Sequence, residues 1–179
     1  EAFAEFPTRD AYVQMGRAIT YADLEVQSAA FGAWLQQHAG LVRGDRVAIM
    51  LPNVLQYPIA LLGVLRAGGV VVNTNPLYTT RELEHQLNDS GAEIIVILEN
   101  FAHVLQEVIA RTPVRKVVVT SVGDLLGFPK GAIVDFVVRH VRQQVPAYHL
   151  PGAVRFHETL QLGGGLELRR ETLGHADLA

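Results

Sequence analysis

Residues 46–91 read RVAIMLPNVLQYPIALLGVLRAGGVVVNTNPLYTTRELEHQLNDSG. RVAIML (46–51) is a near-continuous apolar run, the pattern of a strand covered on both faces and hence of a parallel sheet. Pro52-Asn53 turns the chain. IALLGVLRA (59–67) is apolar nearly all round, which predicts a helix packed on more than one side. Asn53 is a candidate cap for it, with Gln56 at the third position. Pro58 fits only a first helical turn, so regular helix is expected from about Tyr57. Gly68-Gly69 stop it. VVVN (70–73) predicts a second core strand and Asn75-Pro76 a turn. Thr79 to Glu82 is a capping box, with a hydroxyl and a carboxylate placed to satisfy each other's backbone N–H. Leu83 and Leu87 then face inward, Glu82, Glu84, Gln86 and Asp89 face water, and Gly91 closes the helix. The whole is a β-α-β-α unit.

The flanks extend this unit. AYVQMGRAIT (11–20) predicts a short hairpin about Gly16. Thr20 to Asp23 is a second capping box, and Leu24, Phe31, Trp34 and Leu35 give the following helix a buried face. Gly40 ends that helix, and the RGD turn (43–45) leads to the first strand. Downstream, EIIVIL (93–98) predicts a third strand. Asn100 is a candidate cap for a helix over 101–111 that buries Val104, Leu105, Val108 and Ile109 and ends at Pro113. KVVVTSV (116–122) predicts a fourth strand. Strand and helix alternate four times, which implies right-handed crossovers and an α/β fold with a mostly parallel sheet flanked by helices. The regular core spans about 20–122; residues 123–179 are less regular. There, 132–145 predicts an amphipathic helix, 154–156 a short strand and Gly163 to Gly165 a flexible break. The polar stretch 167–179 completes no layer, so the chain reads as one that stops before its fold is complete.

The chain has 179 residues, one domain or a large piece of one, and 49% of them are hydrophobic, ample for a core. Charged residues are 18%, below the usual quarter or so, which implies surface covered by something outside this sequence. The net charge of -3 disfavours nucleic-acid binding, which needs clustered Lys and Arg. No cysteine is present, which excludes disulfides, thiolate metal sites and thiol nucleophiles within the span and fits a reducing cytosol. The first ten residues lack the basic and apolar regions of a signal peptide, and the absence of an initial Met fits a processed or cut N-terminus. The longest apolar run, 58–65, is too short to span a bilayer.

A search for chemistry finds scaffold. No GxxxxGK[ST] phosphate loop is present, and Gly163 to Gly165 leads to Leu-Glu-Leu, an acid where a phosphate would sit. No GxGxxG follows a strand: Gly63, Gly68 and Gly69 lie at or near a helix end. Ser28, Ser90 and Ser121 lack the GxSxG elbow of a hydrolase nucleophile. The seven histidines, His38, His85, His103, His140, His149, His157 and His175, form no HxH or HxxxH pair. The acid pairs Glu82/Glu84 and Glu167/Glu171 read as solvated faces. The helix at 132–145 has two readings: an outer helix packed on the sheet or a neighbouring domain, which is the favoured one, or a helix lying on an anionic membrane surface.

GDRVAIMLPN (44–53), QYPIALLGVLRAGGVVVNTNPLYTTRELEHQLNDSGAEIIV (56–96), TYADLEVQSAAFGAWLQ (20–36), NFAHVLQEVI (100–109) and VPAYHLPGAVRF (145–156) resemble the N-terminal region of bacterial long-chain fatty-acid–CoA ligases, in the adenylate-forming superfamily. The resemblance runs from about Ala11 to Ala179. It implies that residues 1–179 are an incomplete part of the large N-terminal, AMP-binding domain. It implies a two-step reaction: the fatty-acid carboxylate attacks the α-phosphate of ATP, giving acyl-adenylate and pyrophosphate, and the thiol of coenzyme A then displaces AMP. ATP, coenzyme A and magnesium would serve the parent enzyme, magnesium and cationic groups stabilising the transferring phosphates. A cytoplasmic location, peripheral contact with the inner membrane face and a homodimer are further implications. The family's Ser/Thr/Gly-rich phosphate loop with its Lys is expected beyond Ala179. No residue here matches a catalytic, cofactor-binding or metal-binding motif, so none is carried over, and the chain alone is expected to be inactive. The alternatives are a free-standing non-enzymatic homologue that binds lipid or a partner, and an unrelated Rossmann-like domain, disfavoured by the missing glycine fingerprint. Under the fragment reading an uncovered apolar face should make the chain self-associate.

Overall fold

The structure, a computed structural model, describes residues 2–169 and 171. A single-turn helix α1 (Ala2–Glu5) precedes an antiparallel hairpin of β1 (Asp10–Gln14) and β2 (Arg17–Thr20). Met15 and Gly16 at its tip have φ of 49° and 75°, the positive values that a two-residue hairpin loop demands.

Helix α2 (Tyr21–Gln37) starts at the expected capping box: Thr20 Oγ1 accepts from Asp23 N at 3.1 Å, and Asp23 Oδ2 accepts from Thr20 N at 3.0 Å. Hydrogen bonds from the Thr20 backbone, then from its hydroxyl, hold the Asp23 carboxyl below the usual carboxylate range. A lowered folded pKa gives stability that is complete above the unfolded value, about 3.9, and is lost as pH falls through the folded one. Thr20→Ala should therefore cost about 1 kcal/mol near neutrality and flatten the acid limb of the stability curve. Urea titrations at neutral and acid pH read this directly; equal midpoints for the two proteins would refute the cap.

A five-stranded parallel sheet follows, with strand order β4-β3-β5-β6-β7. Its elements are β3 (Arg46–Met50), α3 (Gln56–Arg66), β4 (Val70–Asn73), α4 (Thr80–Ser90), β5 (Ile94–Leu98), α5 (Ala102–Val108), β6 (Lys116–Thr120), α6 (Lys130–Phe136), β7 (Val154–Arg155) and α7 (Phe156–Gly163). Alternation along the strands sorts two cores. Val47, Ile49, Ile94, Val96, Leu98 and Val118 pack on one face against α2, α3 and α7. Ala48, Met50, Ile95, Ile97, Val117 and Val119 pack on the other against Leu83 and Leu87 of α4 and Leu105 and Val108 of α5. Both faces are covered, which is why the strands read as continuous apolar runs. VVVN is an edge strand, half-buried where a core strand was expected.

On the first face the helices approach closely. A Cβ on Gly63 would sit 2.7 Å from Phe31 Cδ1, and one on Gly163 would sit 1.9 Å from the carbonyl oxygen of Ala30. Only glycine allows these crossings. Gly163 is thus a packed contact of α7, where the sequence suggested a flexible break, and α7 itself was not foreseen.

Two expected caps are not formed. Leu55, and not Asn53, precedes α3, with no side-chain cap; Gln14 Oε1 accepts from Leu55 N at 3.0 Å in its place. Asn100 lies within a 3₁₀ turn, Glu99–Phe101, and its amide donates to Gln144 O at 3.0 Å. The helix expected over 101–111 is α5 flanked by 3₁₀ turns, and Val104 and Ile109 are only partly buried. The helix expected over 132–145 is α6 continued by a wider π turn, Val137–Val141. The polar stretch 167–179 lies mostly outside the described residues.

Candidate functional site at the carboxyl end of the sheet

In an open parallel sheet the crevice for a ligand lies at the carboxyl ends of the strands, where the winding reverses. Here that point is between β3 and β5: α3 carries the chain outward to β4, and α4 returns it across to β5. The chain's own side chains cross this end. Gln14 bridges the loop after β3 and the loop after β6, through Leu55 N and Val122 O. Gln56, the first residue of α3 and wholly buried, donates to Thr120 Oγ1 and Ser121 O, both at 2.9 Å.

Two side-chain networks extend from there. In the first, Asp124 accepts from Thr120 Oγ1 at 2.8 Å and meets His157 Nδ1 at 2.9 Å. Asp135 of α6 accepts from Ser121 Oγ at 2.7 Å and from Gly123 N at 2.8 Å. Carboxylates thus tie the loop after β6 to both α6 and α7. In the second, Glu99 directly follows β5 and is 2% exposed. Arg139 binds it in bidentate fashion at 2.8 and 2.7 Å, and Arg155 adds a contact at 3.3 Å. The pair with Glu99 raises the pKa of Arg139, first through the hydrogen bonds and also through charge attraction, against partial desolvation. A buried carboxylate needs such partners to remain charged. Beside this triad is an open cleft of about 460 Å³ with Tyr148 and His140 in its wall.

These networks hold α6, β7 and α7 on the sheet end. Every polar side chain in them is engaged by another part of the chain, the Thr120 and Ser121 hydroxyls by the carboxylates of Asp124 and Asp135. Ser28 and Ser90 hydrogen-bond to carbonyls of their own helices, Glu25 O and Gln86 O. His85 is exposed on α4, and His149 and His157 do not come together in a ligand set. Among the described residues no group of three His, Asp or Glu could hold a metal ion, and no helix is long and apolar enough to cross a membrane. The RGD stretch is a tight turn, with Gly44 at φ 88° and Asp45 Oδ2 accepting from Val42 N at 3.0 Å. Sequence reasoning missed Glu99. The available signal was an acid placed directly after a fully apolar strand.

Comparison with known proteins places this arrangement. The chain is 51% identical over 179 residues to a long-chain-fatty-acid–CoA ligase of Escherichia coli O6:H1, covering 100% of this chain and 32% of that protein. It is equally identical, with the same coverage, to the protein of that name in Haemophilus influenzae. The chain therefore spans about a third of the length of these relatives. A benzoate CoA ligase from Burkholderia xenovorans LB400 superposes with a TM-score of 0.73 over 98% of this chain and 29% of its own, at 18% identity, and so shares the fold. The model of the family described as AMP-binding enzyme matches residues 1–157. With that match over most of the sequence, the chain belongs to the AMP-binding enzyme family.

Proposed function

We propose that this chain is the N-terminal portion of a long-chain fatty-acid–CoA ligase. The observation that supports it is the 51% identity sustained along the entire chain to ligases of that name. In this reading the parent joins a fatty-acid carboxylate to the α-phosphate of ATP, releasing pyrophosphate. Coenzyme A then takes the acyl group as a thioester and AMP leaves. Activation is needed because a free carboxylate resists attack by a thiol. In this reading ATP and coenzyme A meet groups outside this span: the sequence contains no GxxxxGK[ST] loop, and among the described residues no group of three His, Asp or Glu could hold a metal ion. No catalytic step is therefore assigned to this span. What this chain supplies is a rigid sheet layer whose carboxyl end is closed by its own polar side chains. A homodimer and a cytoplasmic, membrane-peripheral parent belong to the same reading.

The test uses the full-length polypeptide that contains this chain. Given a long-chain fatty acid, ATP, magnesium and coenzyme A, it should form acyl-CoA and AMP in equal amounts. Failure to form acyl-CoA with any long-chain acid would overturn the ligase reading in favour of a lipid- or partner-binding module.

A further inference from the structure

The chain has no cysteine and two methionines, so its sulfur chemistry is that of two thioethers, Met15 and Met50. They stand in opposite surroundings. Met50 closes β3, has no exposed surface and lies in the core with Leu83, Ile95 and Ile97. Met15 sits at the hairpin tip and is 54% exposed. An oxidant in solution therefore reaches one sulfur and not the other.

The place of Met15 between two elements gives its oxidation a consequence. Met15 lines a cleft of about 460 Å³ with Val122, Ile133, Val134, Val137 and Arg142. Across this cleft the hairpin meets α6 and its π continuation, and the Met15 carbonyl accepts from Lys130 Nζ at the start of α6. The preceding residue, Gln14, makes the bonds to Leu55 N and Val122 O that cross the carboxyl end of the sheet. On its other side α6 is held through Asp135 and Arg139 by Ser121, Gly123 and Glu99. A flexible thioether fills an irregular apolar gap well. A sulfoxide does not, because its oxygen makes the side chain polar. The side chains of Ile133, Val134 and Val137 offer that oxygen no donor, and the exposed Arg142 of the same cleft does.

We propose that Met15 is a reversible oxidation site whose state sets how firmly the hairpin tip seats α6. The oxidant is hydrogen peroxide. The sulfur lone pair attacks one peroxide oxygen, the O–O bond breaks, the S–O bond forms and the second oxygen leaves as water. Reversal takes an external dithiol, as a methionine sulfoxide reductase uses: the sulfoxide oxygen leaves as water and the dithiol becomes a disulfide. With the thioether present, the tip packs on Ile133, Val134 and Val137. With the sulfoxide, that packing is lost and α6 opens more often from the domain. The proposal is independent of the ligase reading, and its test involves no catalysis, so the two can fail separately.

The experiment treats the native 179-residue chain with hydrogen peroxide and maps its peptides by mass. Met15 should gain one oxygen about tenfold or more faster than Met50, and in urea the two should react alike. In the oxidised protein, amide exchange over residues 130–141 should quicken about threefold or more, with β5 unchanged. Treatment with a methionine sulfoxide reductase and dithiol should restore the original exchange. Met15→Leu should show no response to peroxide in that segment. Met15→Gln, an uncharged polar side chain of similar length, should show the faster exchange without peroxide. Equal oxidation of Met15 and Met50 in the native chain overturns the proposal. So does a Met15 sulfoxide that leaves exchange over 130–141 unchanged, or an equal response to peroxide in Met15→Leu. The full-length polypeptide that contains this chain, treated alike, should also gain oxygen at Met15. Protection of Met15 there overturns the proposal, since the rest of that polypeptide would then cover the tip.

Discussion

Phe31→Ala should lower the unfolding free energy by about 4 kcal/mol, within the range for deleting a buried aromatic side chain. Phe31 has no exposed surface, stacks on Trp34 at a ring separation of 6.0 Å and leans on Phe156 at 5.1 Å. It also fills the space opposite Gly63. One ring therefore joins α2, α3 and α7, and its loss leaves a cavity at the meeting point of three helices. Backbone at the glycine crossings has little room to close over it, because Gly63 and Gly163 already lie against the carbonyl oxygens of Ser28 and Ala30. Equilibrium urea unfolding measures the cost. A loss under 1 kcal/mol would show that the three helices do not share a single packed core.

Glu99→Ala should have the second largest effect. Removing one partner from a buried ion pair costs about 3–5 kcal/mol when the remaining charge is sealed from water. Here Arg139 and Arg155 retain 37% and 39% side-chain exposure, so water screens part of the loss, and about 2 kcal/mol is expected. The effect should be local. Arg139 is a tether between α6 and the sheet, so amide exchange over residues 130–141 should quicken more than exchange in β5. Uniform change, or none, would mean that Asp135 alone holds the helix.

The strands were legible because covered parallel strands have no polar side: RVAIM, IIVIL and KVVV declare themselves without their neighbours. The capping boxes were legible because a Thr and a carboxylate three residues on complete them locally. Asn53 and Asn100 misled for the opposite reason. Tertiary partners, Gln14 and Gln144, decide what happens at those positions, and they lie 41 and 44 residues away in the chain from the groups they bond. Helix α6 shows the limit most clearly. Its pattern gives an apolar side and a polar side, yet Asp135 and Arg139 find partners on the sheet end, Val134 packs on the core, and Ile133, Phe136 and Val141 are exposed. The helical spacing was visible, but the orientation depends on Ser121, Gly123 and Glu99. The amides that cross the candidate site were not legible, because Gln14 and Gln56 bond groups 41 and 64 residues away in the chain.

We infer that this span is scaffold for an adenylate-forming reaction whose reacting groups lie elsewhere. ATP–pyrophosphate exchange by the purified 179-residue chain, with long-chain fatty acid and magnesium, tests it most directly. The account predicts exchange no faster than in the absence of protein. Fatty-acid-dependent exchange with clear turnover by this chain alone would contradict it.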